Sequence, residues 1–155
     1  MQASLVTNFR NTNNEIFDVN SNLDPDGYNV KYYELKKVFK YHNINLATPD
    51  INPIKKSKLV IYIDIPEKIE INNNALSVLI INENQNIYKK NWNKKLHSMF
   101  DIIFTWHDEY VDNELYHKFN YSFKIPKKIN DVPFKEKKFL TMIAMNQKNS
   151  SLNNL

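Results

Sequence analysis

The sequence predicts an α/β protein: a Rossmann-like, mostly parallel sheet with flanking helices. Three observations carry that expectation. Strand-length apolar runs alternate with stretches of helical spacing, the pattern of β–α–β units joined by right-handed crossovers. One run, KLVIYIDI at Lys58 to Ile65, is apolar nearly throughout, as a strand buried on both faces of a parallel sheet must be. The 155 residues, 42% of them apolar and 25% charged, suffice for one domain with a real core.

Taken in order, Ala3 to Phe9 reads as a first strand ending in Thr7-Asn8, and the Asn-rich stretch Asn11 to Asn22 as a loop. Asp24-Pro25-Asp26-Gly27 is a turn into a helix from about Tyr28 to His42. Its apolar positions Tyr32, Leu35, Val38, Phe39 and His42 share one face at helical spacing, while Lys36, Lys37 and Lys40 fall away from it. His42, on the edge of that face, suits packing or capping. Ile44 to Ala47 is a short second strand, Lys58 to Ile65 the third, Leu76 to Ile81 the fourth and Phe100 to Thr105 the fifth. Between the last two, Trp92, Leu96 and Met99/Phe100 recur on one face of a helical piece from Asn91 to Met99. Asp112 can N-cap a short helix carrying Leu115 and Phe119. Tyr121 to Phe134, with two prolines and a Lys pair, reads as a linker. Lys138 to Met145 reads as a sixth strand running into a polar loop, an opening rather than an ending.

Composition excludes several chemistries. The chain has no cysteine, so disulfides, thiolate zinc sites and cysteine nucleophiles are ruled out. Its one glycine, Gly27, cannot supply a dinucleotide-binding turn, a P-loop or a nucleophile elbow, each of which needs several. The net charge of +4 comes almost wholly from scattered lysines, with Arg10 the single arginine. A nucleic-acid patch would concentrate charge and use arginine, so no nucleic-acid partner is expected. No charged leader precedes a long apolar run, and no run is long enough to cross a membrane. The default location is cytoplasmic, with peripheral membrane association open.

Candidate chemistry gathers where the fourth and fifth strands end, because ligands of open α/β sheets sit outside the carboxyl ends of the strands. Glu83, between Asn82 and Asn84 just past a buried strand, can take a proton from an attacking hydroxyl, an effect typically worth roughly 10²–10⁴ in rate. The same position also suits a solvated loop glutamate. Trp106-His107-Asp108-Glu109 offers a flat ring with a donor at its edge, suited to sugars and bases alike, beside carboxylates that accept from hydroxyls. An ordinary polar strand end explains it too. His97, His107 and His117 with Asp108 lack a recognised metal spacing, and Asp24-Pro25-Asp26 is explained by a turn before a helix, so no metal is expected.

The order of these pieces resembles the middle of the family 10 glycosyltransferases, the α1,3/1,4-fucosyltransferases. The likeness runs through NENQNIYKKNWNKKLHSMFDIIFTWHDEYVDNELYHKFNYSFKIP into PFKEKKFLTMIAMNQKNSS. Its features are a Glu-Asn shortly after a strand, an FDIIFTW strand, an acidic stretch, an apolar-proline segment and a KK-apolar strand with an Asn/Lys/Ser-rich loop. It covers roughly Leu59 to Ser151; Met1 to Lys58 matches only in layout.

The resemblance implies one half of a GT-B fold. Residues 1–134, including a linker at 121–134, would be the acceptor-side domain, and residues 135–155 the start of a truncated donor-side domain. It implies inverting transfer of L-fucose from GDP-fucose to a glycan hydroxyl, with Glu83 as general base and Asn84, Trp106, Asp108 and Glu109 at the acceptor. The nucleotide would be held by the second domain, so no cofactor is expected here beyond that donor, and the chain alone would be inactive or only weakly donor-binding. Two readings from other classes stand beside it. One is a non-catalytic carbohydrate-binding or partner domain. The other is a basic nucleic-acid-binding domain, against which the aromatics fall mainly at core spacings.

Overall fold

The computed structural model describes residues 1–9, 12–20, 27–121 and 131–138. The chain divides into two compact units, Met1–Lys124 and Ile125–Leu155. In the first, β1 (Gln2–Thr7), α1 (Val30–Tyr41), β2 (Asn45–Ala47), β3 (Leu59–Ile63), β4 (Leu76–Ile81), α2 (Lys94–His97), β5 (Ile102–Thr105) and β6 (Tyr116–Lys118) follow in sequence. The strands form one sheet in the order β2-β1-β3-β4-β5-β6. Every neighbouring pair is parallel, from Gln2 opposite Asn45 at one edge to Thr105 opposite Lys118 at the other. The Rossmann-like α/β architecture expected from the sequence is therefore the one observed.

The period-2 alternation of strands sorts the apolar residues onto two faces. Leu5, Ile61, Ile63 and Val78 pack with Tyr32, Leu35 and Phe39 of α1 and with Ile16 and Phe17 of a 3₁₀ turn. Val6, Val60, Tyr62, Leu79, Ile81 and Ile103 pack on the other side with Ile54, Phe100, Trp92 and Leu96. Each fully buried side chain of this size contributes about 1.5–3 kcal/mol, so the two-sided sheet dominates the stability of the unit. Buried Asn52 ties the edge strand in, its Nδ2 donating to Ala3 O at 2.9 Å and Asn45 O at 2.8 Å.

Four local expectations differ from what is found. The helix before β2 runs from Val30 to Tyr41 as anticipated and His42 caps its C-terminus, one of the two roles expected of it, but Val38, expected on the apolar face, is 53% exposed. Flanking helices are scarce among the described residues: α1 alone exceeds a single turn, the connection from β3 to β4 has none, and 3₁₀ turns serve elsewhere. The helix expected at Asn91 to Met99 is a 3₁₀ turn, Lys89–Trp92, followed by α2. Asn93 separates them, its extended backbone placing Oδ1 to accept from Lys95 N at 3.2 Å. Trp92, Leu96 and Phe100 still reach the core. Last, the segment after Asp112 is not a helix. The Asp112 carboxylate accepts from Glu114 N and Tyr116 N, both at 2.8 Å, and Asn113 adopts φ +62°. That Asx turn leads into β6, which runs parallel to β5.

In the second unit the described residues contain a 3₁₀ turn, Phe134–Glu136. The strand expected at Lys138 to Met145 lies, beyond its first residue, outside the described residues, as does the Asp24-Pro25-Asp26 turn.

Candidate functional site

From β1 the chain crosses to β2 on one side and returns to β3 on the other, so the carboxyl ends of β1 and β3 flank the switch point of the sheet, with β4 next. Thr7, Asp64 and Asn82 stand at the ends of these strands.

The backbone of Asn82 and Glu83 leaves the sheet there and would be without partners if it were an ordinary loop. Instead side chains satisfy all four of its polar groups. The N–H groups of Asn82 and Glu83 both donate to Asp64 Oδ1, at 2.7 and 3.0 Å. Asn82 O accepts from Trp106 Nε1 at 3.2 Å and from the Tyr121 hydroxyl. Glu83 O accepts from Trp92 Nε1 at 3.1 Å and Asn91 Nδ2 at 3.3 Å. The donors and acceptors come from β3's end, the β4–β5 connection and the segments after β5 and β6.

This seat has its own supports. Asp64 is buried and sits at φ +60°, a conformation short polar side chains tolerate better than others. Fully buried Asn91 donates to Asp64 Oδ1 at 2.5 Å and accepts from Ile65 N at 2.8 Å. His97 Nε2 lies 2.7 Å from Asn91 O, which can only accept, so Nε2 carries the proton and Nδ1 accepts from the Tyr116 hydroxyl at 2.8 Å. On the α1 side, Asn82 Nδ2 donates to the Tyr28 and Tyr32 hydroxyls at 3.2 and 3.4 Å. Lys31 Nζ rests 3.9 Å from the centre of the Tyr28 ring.

Burial raises the pKa of Glu83, and the neighbouring Asp64 charge raises it further, with Lys31 pulling the other way. Asp64 is raised by burial against its hydrogen-bond donors and Lys31. Lys31 is lowered by burial, which its two carboxylate neighbours oppose. The Tyr121 hydroxyl is pushed up to about 12, by burial first and then by Glu83 and Asp64. Around Glu83, Tyr28 and Tyr121 each feel its charge, and Phe9 packs on Tyr28 at 5.9 Å between ring centres. These three rings are 37%, 41% and 44% exposed in the order Tyr28, Tyr121, Phe9. Partly exposed Tyr28 and Tyr121 thus stand near a carboxylate more basic than a free glutamate.

Of the residues singled out from sequence, Glu83 and Trp106 come together here, but the Trp106 indole N–H is spent on the turn. It packs edge-on against Trp92 at 5.7 Å. Asn84 is exposed and its Oδ1 accepts from Asn86 N and Ile87 N at 2.9 and 3.2 Å, closing a local turn. Asp108 pairs with Lys118 on an exposed 3₁₀ turn that also carries Glu109. His107 packs among Trp92, Trp106 and Tyr110, its buried Nδ1 without a hydrogen-bond partner. Among the described residues no group of three or more His, Asp or Glu side chains could hold a metal ion, and no helix is long and apolar enough to cross a membrane.

Sequence reasoning missed Asp64, Asn91, Trp92, Tyr28, Lys31 and Tyr121. Asp64 alone carried a signal: an acid inside an otherwise apolar strand must be partnered or functional. Compared with protein-family models, with curated proteins and with solved structures, the chain has no match in any of the three.

Proposed function

We propose that this chain is the acceptor-side domain of an inverting glycosyltransferase of the α1,3/1,4-fucosyltransferase type. The observation that carries the reading is the seating of Glu83: a partly exposed carboxylate on a turn whose every backbone polar group is held by a side chain. A solvated loop glutamate has no need of such a seat, whereas a base does, because misplacement by about 1 Å can forfeit 10²-fold in rate.

In the proposed step an acceptor hydroxyl oxygen forms a bond to the anomeric carbon of fucose from the face opposite the nucleotide. The bond to the GDP oxygen breaks, and the hydroxyl proton passes to Glu83. The raised pKa of Glu83 brings it closer to the operating pH, which is what a general base requires. GDP-fucose would be held by a second Rossmann-like domain. A carbohydrate-binding domain without catalysis gives no role to a carboxylate of raised pKa.

The test is Glu83→Gln in the chain joined to a complete donor-side domain. Transfer should fall by at least about 10²-fold while GDP-fucose binding is kept. Retained transfer places the base elsewhere. For the chain alone, calorimetry should register no GDP-fucose binding; micromolar binding would overturn the division of labour between domains.

A further inference from the structure

We propose that Asp64 is the positioning residue of this site: from the end of β3 its carboxylate holds the Asn82–Glu83 turn in the one orientation that presents the Glu83 side chain to a bound hydroxyl. The inference rests on the reading of Glu83 as the base, but its test does not.

A single oxygen of Asp64 accepts three donors, the N–H groups of Asn82 and Glu83 and Nδ2 of Asn91. Three donors converging from the end of β4 and from the Lys89–Trp92 turn fix that oxygen in space, and the two successive N–H groups fix the peptide plane from which the Glu83 side chain departs. Asp64 N donates to Ile80 O at 2.9 Å, so the anchor is itself tied into the β3–β4 ladder. The left-handed backbone at φ +60° turns β3 at this residue, and a side chain with a δ-oxygen acceptor is needed to use the turn in this way.

Asparagine would satisfy both demands, since it tolerates that backbone and offers the same Oδ1 acceptor. What aspartate adds is charge. The charged and titratable groups facing Glu83 are Asp64 from β3, Lys31 and Tyr28 from α1 and its entry, and Tyr121 after β6. Of these, Asp64 is the one that makes the Glu83 carboxylate a better proton acceptor. Asp64 thus does two separable things, and two substitutions separate them.

Asp64→Asn keeps the acceptor and removes the charge; Asp64→Gly keeps the backbone conformation and removes the acceptor. The readouts are amide hydrogen exchange at Asn82 and Glu83 and titration of the Glu83 carboxyl by carbon-detected NMR, both on this chain. In Asp64→Asn, exchange at the two amides should stay within about threefold of the parent while Glu83 titrates at lower pH. In Asp64→Gly, exchange at Asn82 and Glu83 should quicken by about tenfold or more while the amides of β1 keep their protection. Unchanged exchange in Asp64→Gly overturns the anchoring, and an unmoved Glu83 titration in Asp64→Asn overturns the electrostatic half. If Asp64→Gly does not fold, Asp64→Asn still decides, because exchange at Asn82 and Glu83 as fast as in an open loop would refute the acceptor role. Should both arms succeed while Glu83→Gln leaves transfer intact in the two-domain enzyme, the base assignment falls and the positioning stands.

Discussion

Removing Asn91 should unseat the site and destabilise the whole first unit, and the size of the loss follows from the groups left behind. In Asn91→Leu, which keeps the branching but removes the polar atoms, Ile65 N–H loses its acceptor and the Asp64 carboxylate loses its shortest donor. Glu83 O keeps Trp92. A buried, orphaned N–H costs about 1–3 kcal/mol, and a hydrogen bond to a charged group is worth about 1.5–3 kcal/mol. Against this the leucine gains burial worth up to about 1.5–3 kcal/mol, only part of which a polar site can realise. The net expectation is a destabilisation of about 2–4 kcal/mol, or roughly 10 °C in melting temperature for a unit of this size. Urea unfolding followed by tryptophan emission measures it directly, because Trp92 and Trp106 both hold the turn. Asn91→Asp makes the argument sharper, since it places a second carboxylate against Asp64 with little change in shape. The added carboxyl would have a folded pKa raised above its unfolded value of about 3.9. Its favourable contribution is then full below that value and lost as pH rises through the folded pKa, so this variant should gain stability on acidification relative to the parent. A loss under about 1 kcal/mol in Asn91→Leu, or a pH-independent deficit in Asn91→Asp, would refute the account of the seat.

Two further outcomes are expected. Because Glu83 has a raised pKa in the fold, its ionised form opposes stability above the unfolded value of about 4.3, so Glu83→Gln should raise the melting temperature slightly at neutral pH; a clear fall in calorimetry would mean that the carboxylate stabilises the fold instead. The His97 pKa is lowered, by burial first and then by Lys94, against the pull of Asn91 O. Its neutral form is the one the fold accepts, so stability is undiminished above the unfolded value of about 6.5 and declines as pH falls from there towards the folded value. The urea midpoint should therefore drop between pH 7.5 and pH 5.5 more in the parent than in His97→Gln, and equal drops would count against a buried neutral imidazole.

The strands were legible because burial on two faces leaves so little choice of residue. Leu76 to Ile81 was read to the residue, and the other four anticipated strands of the first unit were placed within two residues at each end. β6 was misread for a definite reason. Leu115 and Phe119 fit an i, i+4 spacing and Asp112 is a good N-cap, but the same carboxylate closes an Asx turn when the next residue, Asn113, takes a left-handed conformation. Glu83 could be found because its strand and the turn after it are contiguous in sequence. Its seat could not. Trp92, Trp106 and Tyr121 reach Glu83 and Asn82 from 9, 24 and 39 residues away, and nothing local tells an indole N–H which carbonyl it will meet. Trp106 was read as a face for ligands when its polar edge is committed to the backbone.

The economy of the seat argues for use over mere structure. Asparagine at position 64 would serve a turn equally well without burying a charge, and glutamine at position 83 would leave the neighbouring carboxylate unopposed by a like charge. The fold instead keeps two carboxylates of raised pKa beside a lysine whose own pKa is lowered by the same burial. Each of the three groups is worse off here than in water. Clusters of this kind also arise in structural ion-pair networks, but those close their pairs, and here no Lys31–carboxylate pair falls within ion-pair distance among the described residues. An unclosed, locally unfavourable set of charges at the carboxyl end of a parallel sheet fits the role proposed for Glu83, a base that takes a proton from a bound hydroxyl.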